Sequence, residues 1–240
     1  MTTVDETPTS PATSELQPTH KVGRAVFLGA LAAGVSSLYW GKTAWSRVSS
    51  AIGPIESHIP LVPTGGWRIY AVSGSLPGFD PKTWRLEIGG HVEQPTTLDY
   101  HQLLALPKVE QVSTFHCVTG WTVKNVQWGG VRLGEVLALA KPTDVAHAIE
   151  FVSMENPYVD YLTRQQASLH DVMLAYEMEG KPLARAHGAP VRLVIPEMYG
   201  YKNVKWLTGI NLVPQAVDGY WEQLGYDRDA WVGHSNGYGT

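Results

Sequence analysis

From Trp84 to Val213 the apolar residues come in short runs, each cut by glycine or proline, and this punctuation constrains the fold more than any other feature. Trp84, Leu86 and Ile88 alternate with Arg85 and Glu87, a two-residue period that predicts a strand ending at Gly89-Gly90. Residues 110–118, 146–154, 172–178, 190–195 and 206–213 read as further strands, the third turning through Glu179-Gly180. Helices are short. Thr97 or Asp99 can cap one carrying Leu103, Leu104 and Leu106 and stopped at Pro107; a second covers Leu133–Ala140 after a turn at Gly129-Gly130; a third is predicted over 162–170. Strands and helices alternate irregularly, so the expected class is α+β with a mixed sheet rather than a doubly wound one.

This folded domain is expected to begin near Trp67 and run to the C-terminus, as 67–240. Ahead of it, residues 1–20 are rich in Thr, Pro and Ser and lack the apolar surface to offset chain entropy, so a disordered tail is expected. Residues 25–40 carry no charge, with Arg24 and Lys42 at their borders. As a helix they reach about 24 Å, short of the ~30 Å of a bilayer core unless the flanking cations snorkel and Tyr39 and Trp40 sit at the interface. Three readings of 24–42 compete: an uncleaved membrane anchor, an export signal and a buried core helix. The anchor is preferred, with the main domain outside the cytoplasmic membrane; periplasmic release after cleavage is the alternative. Gly23-Arg24-Ala25 resembles a twin-arginine export signal that has kept a single arginine. Residues 43–66, with Gly53-Pro54, Pro60, Pro63 and Gly65-Gly66, read as a linker. A net charge of −4 and a pI near 6.1 give no reason to expect nucleic acid as a partner. A single cysteine excludes an intramolecular disulfide and a cysteine-rich zinc site.

Two constellations carry candidate chemistry. In Phe115-His116-Cys117-Val118-Thr119-Gly120-Trp121, followed by Trp128-Gly129-Gly130, the cysteine stands where a strand gives way to a glycine turn. A thiolate there is a soft metal ligand or a nucleophile; a buried core cysteine competes with both. His116 should face away from Cys117 and is taken as structural. In the second constellation, His187, Arg192, Lys202 and Lys205 surround one apolar strand and the glycine turn after it. Amides near Gly200 can converge with Lys205 on an anion. Arg192 needs either a phosphate or a salt bridge to Glu177 or Glu197. Lys202 reads as structural or solvated.

Together HCVTGWTV, the following WGGV, AYEMEGKPL at 175–183 and HGAPVRLVIPEMYGYKNVKWLTGI at 187–210 resemble the sulfite oxidase superfamily. The similarity lies toward its bacterial exported branch, which includes the periplasmic methionine sulfoxide reductase catalytic subunit. The tail DGYWEQLGYDRDAW resembles the end of these domains. The resemblance implies a mixed-sheet, sulfite-oxidase-type fold that holds one molybdenum through a pyranopterin. Cys117 falls at the protein ligand to that metal. Arg192, Lys205, His187 and the backbone around Asn203 and Val204 fall at positions that hold the pterin and its phosphate. Ser153 matches a position touching the cofactor, and the opening strand, Tyr70 to Ser73, should border it. Tyr158 aligns with a tyrosine near the metal, with Tyr161 a competing candidate; either is equally a packed tyrosine.

Sulfite oxidases place arginines beside the cysteine loop and in the opening strand. Here the corresponding residues are Thr119-Gly120-Trp121 and Tyr70-Ala71-Val72-Ser73. An apolar mouth favours a neutral oxide over a dianion. The expected activity is two-electron oxygen-atom transfer, as reduction of a small S-oxide or N-oxide. The resemblance implies a separate electron-transfer partner such as a membrane haem protein. Oxidation of sulfite is the alternative. Readings from other classes are a non-catalytic cofactor-binding module in a membrane redox complex and hydrolysis by Cys117.

Overall fold

The computed structural model describes residues 66–234. The expected tail, the 24–42 segment and all of the linker except Gly66 lie outside the described residues. Among the described residues no helix is long and apolar enough to cross a membrane.

Among the described residues, ten strands form two five-stranded sheets. The first contains β1 (Arg85–Gly90), β2 (Thr96–Asp99), β5 (Ala148–Ser153), β6 (Val159–Thr163) and β10 (Leu207–Val213), in the order β2-β1-β10-β5-β6. Its β1–β10 pair is parallel and the other pairs are antiparallel, so the sheet is mixed as expected. The second contains β3 (Val109–His116), β4 (Thr122–Arg132), β7 (Met173–Met178), β8 (Lys181–Pro182) and β9 (Arg192–Val194), with β9 paired to β7. Helices among the described residues are few: α1 (Tyr100–Leu104), α2 (Leu133–Ala140) and α3 (Arg164–Ala167).

Alternation explains how the second sheet is used on both faces. Along β7, Leu174 and Tyr176 point into the main core beside Leu86, Ile88, Phe151 and Ile210. Met173 and Ala175 point the other way, into a second cluster with Trp67, Val126, Trp128 and Val194. Leu193 of β9 joins the main core and Val194 the second cluster. Arg192, in phase with Val194, is thereby delivered to the second cluster. α2 closes the main core through Leu133, Val136 and Ala140, a spacing that puts all three on one helix face.

Four local expectations are corrected. Gly129-Gly130 is not a turn but lies inside the eleven-residue β4. A Cβ on Gly130 would overlap the Leu174 carbonyl oxygen, so this glycine serves the close approach of two strands. Residues 162–170 are not one helix: β6 runs to Thr163, which then caps the four-residue α3 through a reciprocal bond pair with Gln166. The inward-facing Asp160 masks the strand period there. Residues 70–73 form no strand, because the Ser73 amide donates to the Glu155 carboxylate at 3.1 Å instead of to a ladder. Leu106 falls beyond α1, which ends at Leu104 after a capping box between Asp99 and Gln102.

Candidate active site

A cavity of about 230 Å³ opens where the two clusters meet, lined by Trp67, Phe115 and Trp121 of the second and by Tyr158, Tyr201 and Trp221 of the main core. It gathers residues far apart in sequence: Tyr70, Cys117, Tyr158, His187, Arg192, Asn203 and Lys205 all line it. Of the site residues expected from the sequence, Ser153 and Val204 are the two that do not.

Cys117 is the first residue after β3 and is half-buried. Its amide donates to the Trp121 carbonyl at 2.9 Å and its carbonyl accepts from the Gly120 amide at 3.0 Å, closing a tight loop that holds the sulfur at the cavity wall. Cys117 Sγ lies 3.2 Å from Thr119 Oγ1. Among the described residues no three His, Cys, Asp or Glu side chains converge as a metal site.

The cations present a different picture. Arg192 is 3% exposed and has no carboxylate partner. Its guanidinium donates to the carbonyls of His187 at 3.2 Å and Asn203 at 3.3 Å, and lies over the Phe115 and Trp128 rings. The expected alternative, a salt bridge to Glu177 or Glu197, does not form: Glu177 pairs with Lys108 at 2.6 Å. Burial pulls the Arg192 guanidinium down to about 10. Lys205 donates to the Tyr70 carbonyl, and burial with the nearby Arg192 lowers it to about 7, against the opposing pull of Glu155. His187 is lowered to about 4 by burial, then by Arg192 and Lys205. Three cationic or basic groups thus share one pocket wall, with Glu155 as the single carboxylate among the lining residues. A low-dielectric wall holding such groups is built for a bound anion.

Orphaned polar atoms point the same way. His187 Nδ1 and Trp121 Nε1 are buried without hydrogen-bond partners, and both residues line the cavity. Each is a group that a bound polar ligand would satisfy.

The remaining expected residues act at one remove. Ser153 Oγ donates to the Lys205 carbonyl at 2.7 Å and accepts from the Glu155 amide at 3.0 Å, fixing the backbone behind the cavity. The Val204 amide and carbonyl are spent on Lys202 and Leu193. Asn203 Oδ1 accepts from the Ile195 amide at 2.8 Å, so this side chain locks the turn instead of reaching outward. The Tyr158 hydroxyl donates to the Tyr201 carbonyl, and burial holds it well above its ordinary value, with Asp160, Glu222 and Glu155 adding to the rise. Tyr161 instead donates to Glu150 in the first sheet, which removes it as a competitor.

The sequence reading missed several wall residues. Trp67 is the hub of an aromatic wall, with ring centroids 4.9 Å from Phe115, 6.2 Å from Trp121 and 5.0 Å from His187. Trp221 and Tyr226 line another part, and Glu155 is the one acidic residue of the lining. The density of tryptophan after Trp67 was the available signal. Gly200 packs so tightly that a Cβ would overlap the Phe115 ring.

A thiol at a strand end, an anion-seeking floor and an aromatic wall define a site for a large anionic cofactor carrying a soft metal. Residues 73–221 match the family described as "Oxidoreductase molybdopterin binding domain", and the chain belongs to that family. It is 32% identical over 204 residues to the "Uncharacterized oxidoreductase YuiH" of Bacillus subtilis, a match covering 81% of this chain and 96% of that protein. With the "Protein-methionine-sulfoxide reductase catalytic subunit MsrP" of Campylobacter jejuni it shares 31% identity over 160 residues, 60% of this chain and 54% of the relative. With the sulfite oxidase of Arabidopsis thaliana it shares 31% over 188 residues, 64% of this chain and 48% of the relative. The chain therefore spans about half the length of those two relatives. The "Sulfane Dehydrogenase SoxCD from Paracoccus pantotrophus" has the same fold, with a TM-score of 0.57 at 24% identity over 60% of this chain and 41% of that chain. The protein is accordingly an enzyme of the sulfite oxidase superfamily, a molybdopterin-dependent oxidoreductase with Mo-molybdopterin as its cofactor. The residues present fit that group: Cys117 would supply a sulfur to the metal. Arg192, Lys205 and His187 would hold the anionic end, and the unpartnered Trp121 Nε1 offers a further donor.

Proposed function

We propose that this enzyme reduces a small neutral S-oxide or N-oxide, with the catalytic domain outside the cytoplasmic membrane and residues 25–40 as its anchor. The observation that carries the substrate class is the wall beside Cys117. Trp67, Phe115 and Trp121 present aromatic surface there and Trp221 and Tyr226 on another part of the lining, while Arg192 and Lys205 are given to the anionic end of the cofactor. Such a wall desolvates a neutral oxide at little cost and a dianion at a large one.

The cofactor supplies a two-electron centre competent for oxygen-atom transfer. The chain's own residues do the rest. Cys117 would hold the metal end, Arg192 and Lys205 would neutralise the anionic end with the neutral His187 as a hydrogen-bonding partner, and the aromatic wall would exclude water from the bound oxide. For a sulfoxide the reaction balances with two electrons and two protons taken up: the S–O bond breaks, the sulfur leaves as the thioether and the oxygen leaves as water. The electrons arrive singly from a separate redox partner, such as a membrane haem protein. MsrP, which carries methionine-sulfoxide reductase in its name, supports this direction.

One observation favours oxidation of sulfite or a similar anion. Arg68 lines the cavity and is exposed. Steady-state assays separate the two: oxidation of a reduced dye by a small sulfoxide, with no turnover of sulfite, supports the proposal. Sulfite turnover that is lost in Arg68→Ala, with none on sulfoxides, would replace it with the anion reading.

A further inference from the structure

Lys202, on the same turn as Lys205, is absent from the cavity lining. It is 3% exposed, and its Nζ lies 2.6 Å from Asp160 Oδ1 and 2.6 Å from Glu222 Oε1. One cation thus faces two carboxyl groups where water does not reach. The outer oxygens, Asp160 Oδ2 and Glu222 Oε2, are buried and have no hydrogen-bond partner. Two carboxylates against one ammonium leave a buried negative charge uncompensated, and the strain is relieved when one carboxyl keeps a proton.

The three residues come from three segments that meet at the cavity. Asp160 lies in β6, two residues after the cavity-lining Tyr158. Lys202 closes the 3-10 turn Gly200–Lys202, of which Gly200 and Tyr201 line the cavity. Glu222 opens the 3-10 turn Glu222–Leu224, flanked by the wall residues Trp221 and Tyr226. Neutral contacts join the same segments: the Tyr220 amide donates to the Val159 carbonyl at 2.9 Å, Tyr158 donates to the Tyr201 carbonyl, the Tyr201 hydroxyl donates to the Asp227 carbonyl at 2.7 Å, and the Tyr201 and Tyr226 rings lie 5.2 Å apart. The triad is the charged contact among them.

We infer that Lys202 is a positioning residue which, with Asp160 and Glu222, holds the Trp221–Tyr226 wall against the turn, and that this hold depends on one proton kept by the carboxyl pair. It does not require the wall's substrate to be an S-oxide. Burial pushes Asp160 up to about 7, with Glu222 adding to the rise and Lys202 opposing it. Burial pulls Lys202 down, but Asp160 and Glu222 together leave it above its ordinary value. Lys205, three residues from Lys202, is lowered to about 7 in the cofactor-free cavity, and a bound anion in the loaded chain would keep it charged. The three tyrosines and the ion pair around the triad do not change charge near neutrality. Tyr158 and Tyr161 from β6 and Tyr201 from the turn are all pushed upward and stay neutral. Asp218 and Arg228, on the C-terminal segment, form an exposed ion pair at 2.5 Å that holds both charged. Below neutrality the triad is balanced and the wall is held; above it the second carboxylate charge appears and the hold weakens.

The test is 19F NMR of the full, cofactor-loaded chain labelled with 5-fluorotryptophan, with the Trp221 signal assigned from Trp221→Phe. Between about pH 5.5 and about 8.5 the Trp221 signal is expected to move, with its midpoint near 7. In Asp160→Asn and Glu222→Gln, each leaving one cation to one carboxylate, it should stay at its low-pH position throughout. Lys202→Met should show the high-pH position at every pH, and Lys202→Arg should restore the titration. A wild-type signal that does not move with pH, or an Asp160→Asn signal that titrates like wild type, overturns the inference. If Lys202→Met does not fold, the two carboxyl variants decide the question.

Discussion

Lys202 and Lys205 lie three residues apart on one turn and meet opposite electrostatic fates. Lys202 has two carboxylates within 2.6 Å and is held above its ordinary value. Lys205 donates to a backbone carbonyl, shares its wall with Arg192, and is lowered to about 7 although Glu155 pulls the other way. A buried cation outnumbered by carboxylates is architecture; cations that outnumber the carboxylate beside them suit an anionic ligand. On the proposed reading, the difference separates the part of this chain that holds its shape from the part that would hold its cofactor.

That separation can be broken or sharpened by experiment. The largest expected effect belongs to the floor: Arg192→Met should lower pterin content per chain by about tenfold or more, as expected for losing charge-assisted bonds to a phosphate. The same variant should leave the cofactor-free chain as stable as wild type or more so, since an unpaired buried cation is removed; pterin fluorescence and thermal melts read the two effects. Lys202→Met should do the reverse, costing about 3–5 kcal/mol of stability by stranding two buried carboxyl groups. Its pterin content per folded chain should stay near wild type. A variant of either lysine or of Arg192 that lost both properties together would erase the distinction.

The pH dependence sharpens it further. Lys205 is depressed from 10.5 to about 7, so its contribution to the stability of the cofactor-free fold is present above its unfolded value and lost as pH falls through 7. His187 is depressed from 6.5 to about 4, so its contribution is lost over that lower window. Asp160, raised from 3.8 to about 7, works in the opposite sense, and its contribution is lost as pH rises through 7. The cofactor-free chain should therefore melt at a higher temperature near pH 9 than near pH 7, through Lys205. Loading the anionic cofactor should flatten that slope, because a bound anion restores the charged lysine.

The smallest expected effect is at Tyr158. With its hydroxyl committed to the Tyr201 carbonyl, Tyr158→Phe should cost about 1 kcal/mol of stability and change kcat by less than about tenfold. A loss of a hundredfold or more at unchanged stability would make Tyr158 a proton donor to substrate and not a wall residue.

Much of this was legible before any coordinates. The Leu133–Ala140 helix, the Glu179-Gly180 turn and the placement of Cys117 just past a strand follow from local periodicity and turn chemistry. Arg192 could be singled out because a guanidinium in an apolar strand demands an explanation, although periodicity alone did not say which face it takes. Local pattern failed where the deciding partner is distant. Gly129-Gly130 reads as a turn until β7 is seen pressed against it. Asp160 breaks a strand period because its partner Lys202 is 42 residues away. Glu155 enters the cavity on an irregular loop that no periodicity describes. The aromatic wall is drawn from three separate stretches of chain, around residues 67, 115–121 and 221–226, and an abundance of tryptophan says that such a wall exists without saying which rings build it.

The central claim is that Cys117 and the cation floor together hold a molybdenum cofactor. The most direct measurement is molybdenum and pterin per polypeptide, with X-ray absorption at the metal, for the chain expressed in a host that makes the cofactor, beside Cys117→Ser. The account predicts near one metal and one pterin per wild-type chain. In the variant, pterin should be retained on the Arg192 and Lys205 floor while one sulfur disappears from the metal's coordination. A folded wild-type chain that carries neither metal nor pterin would contradict it.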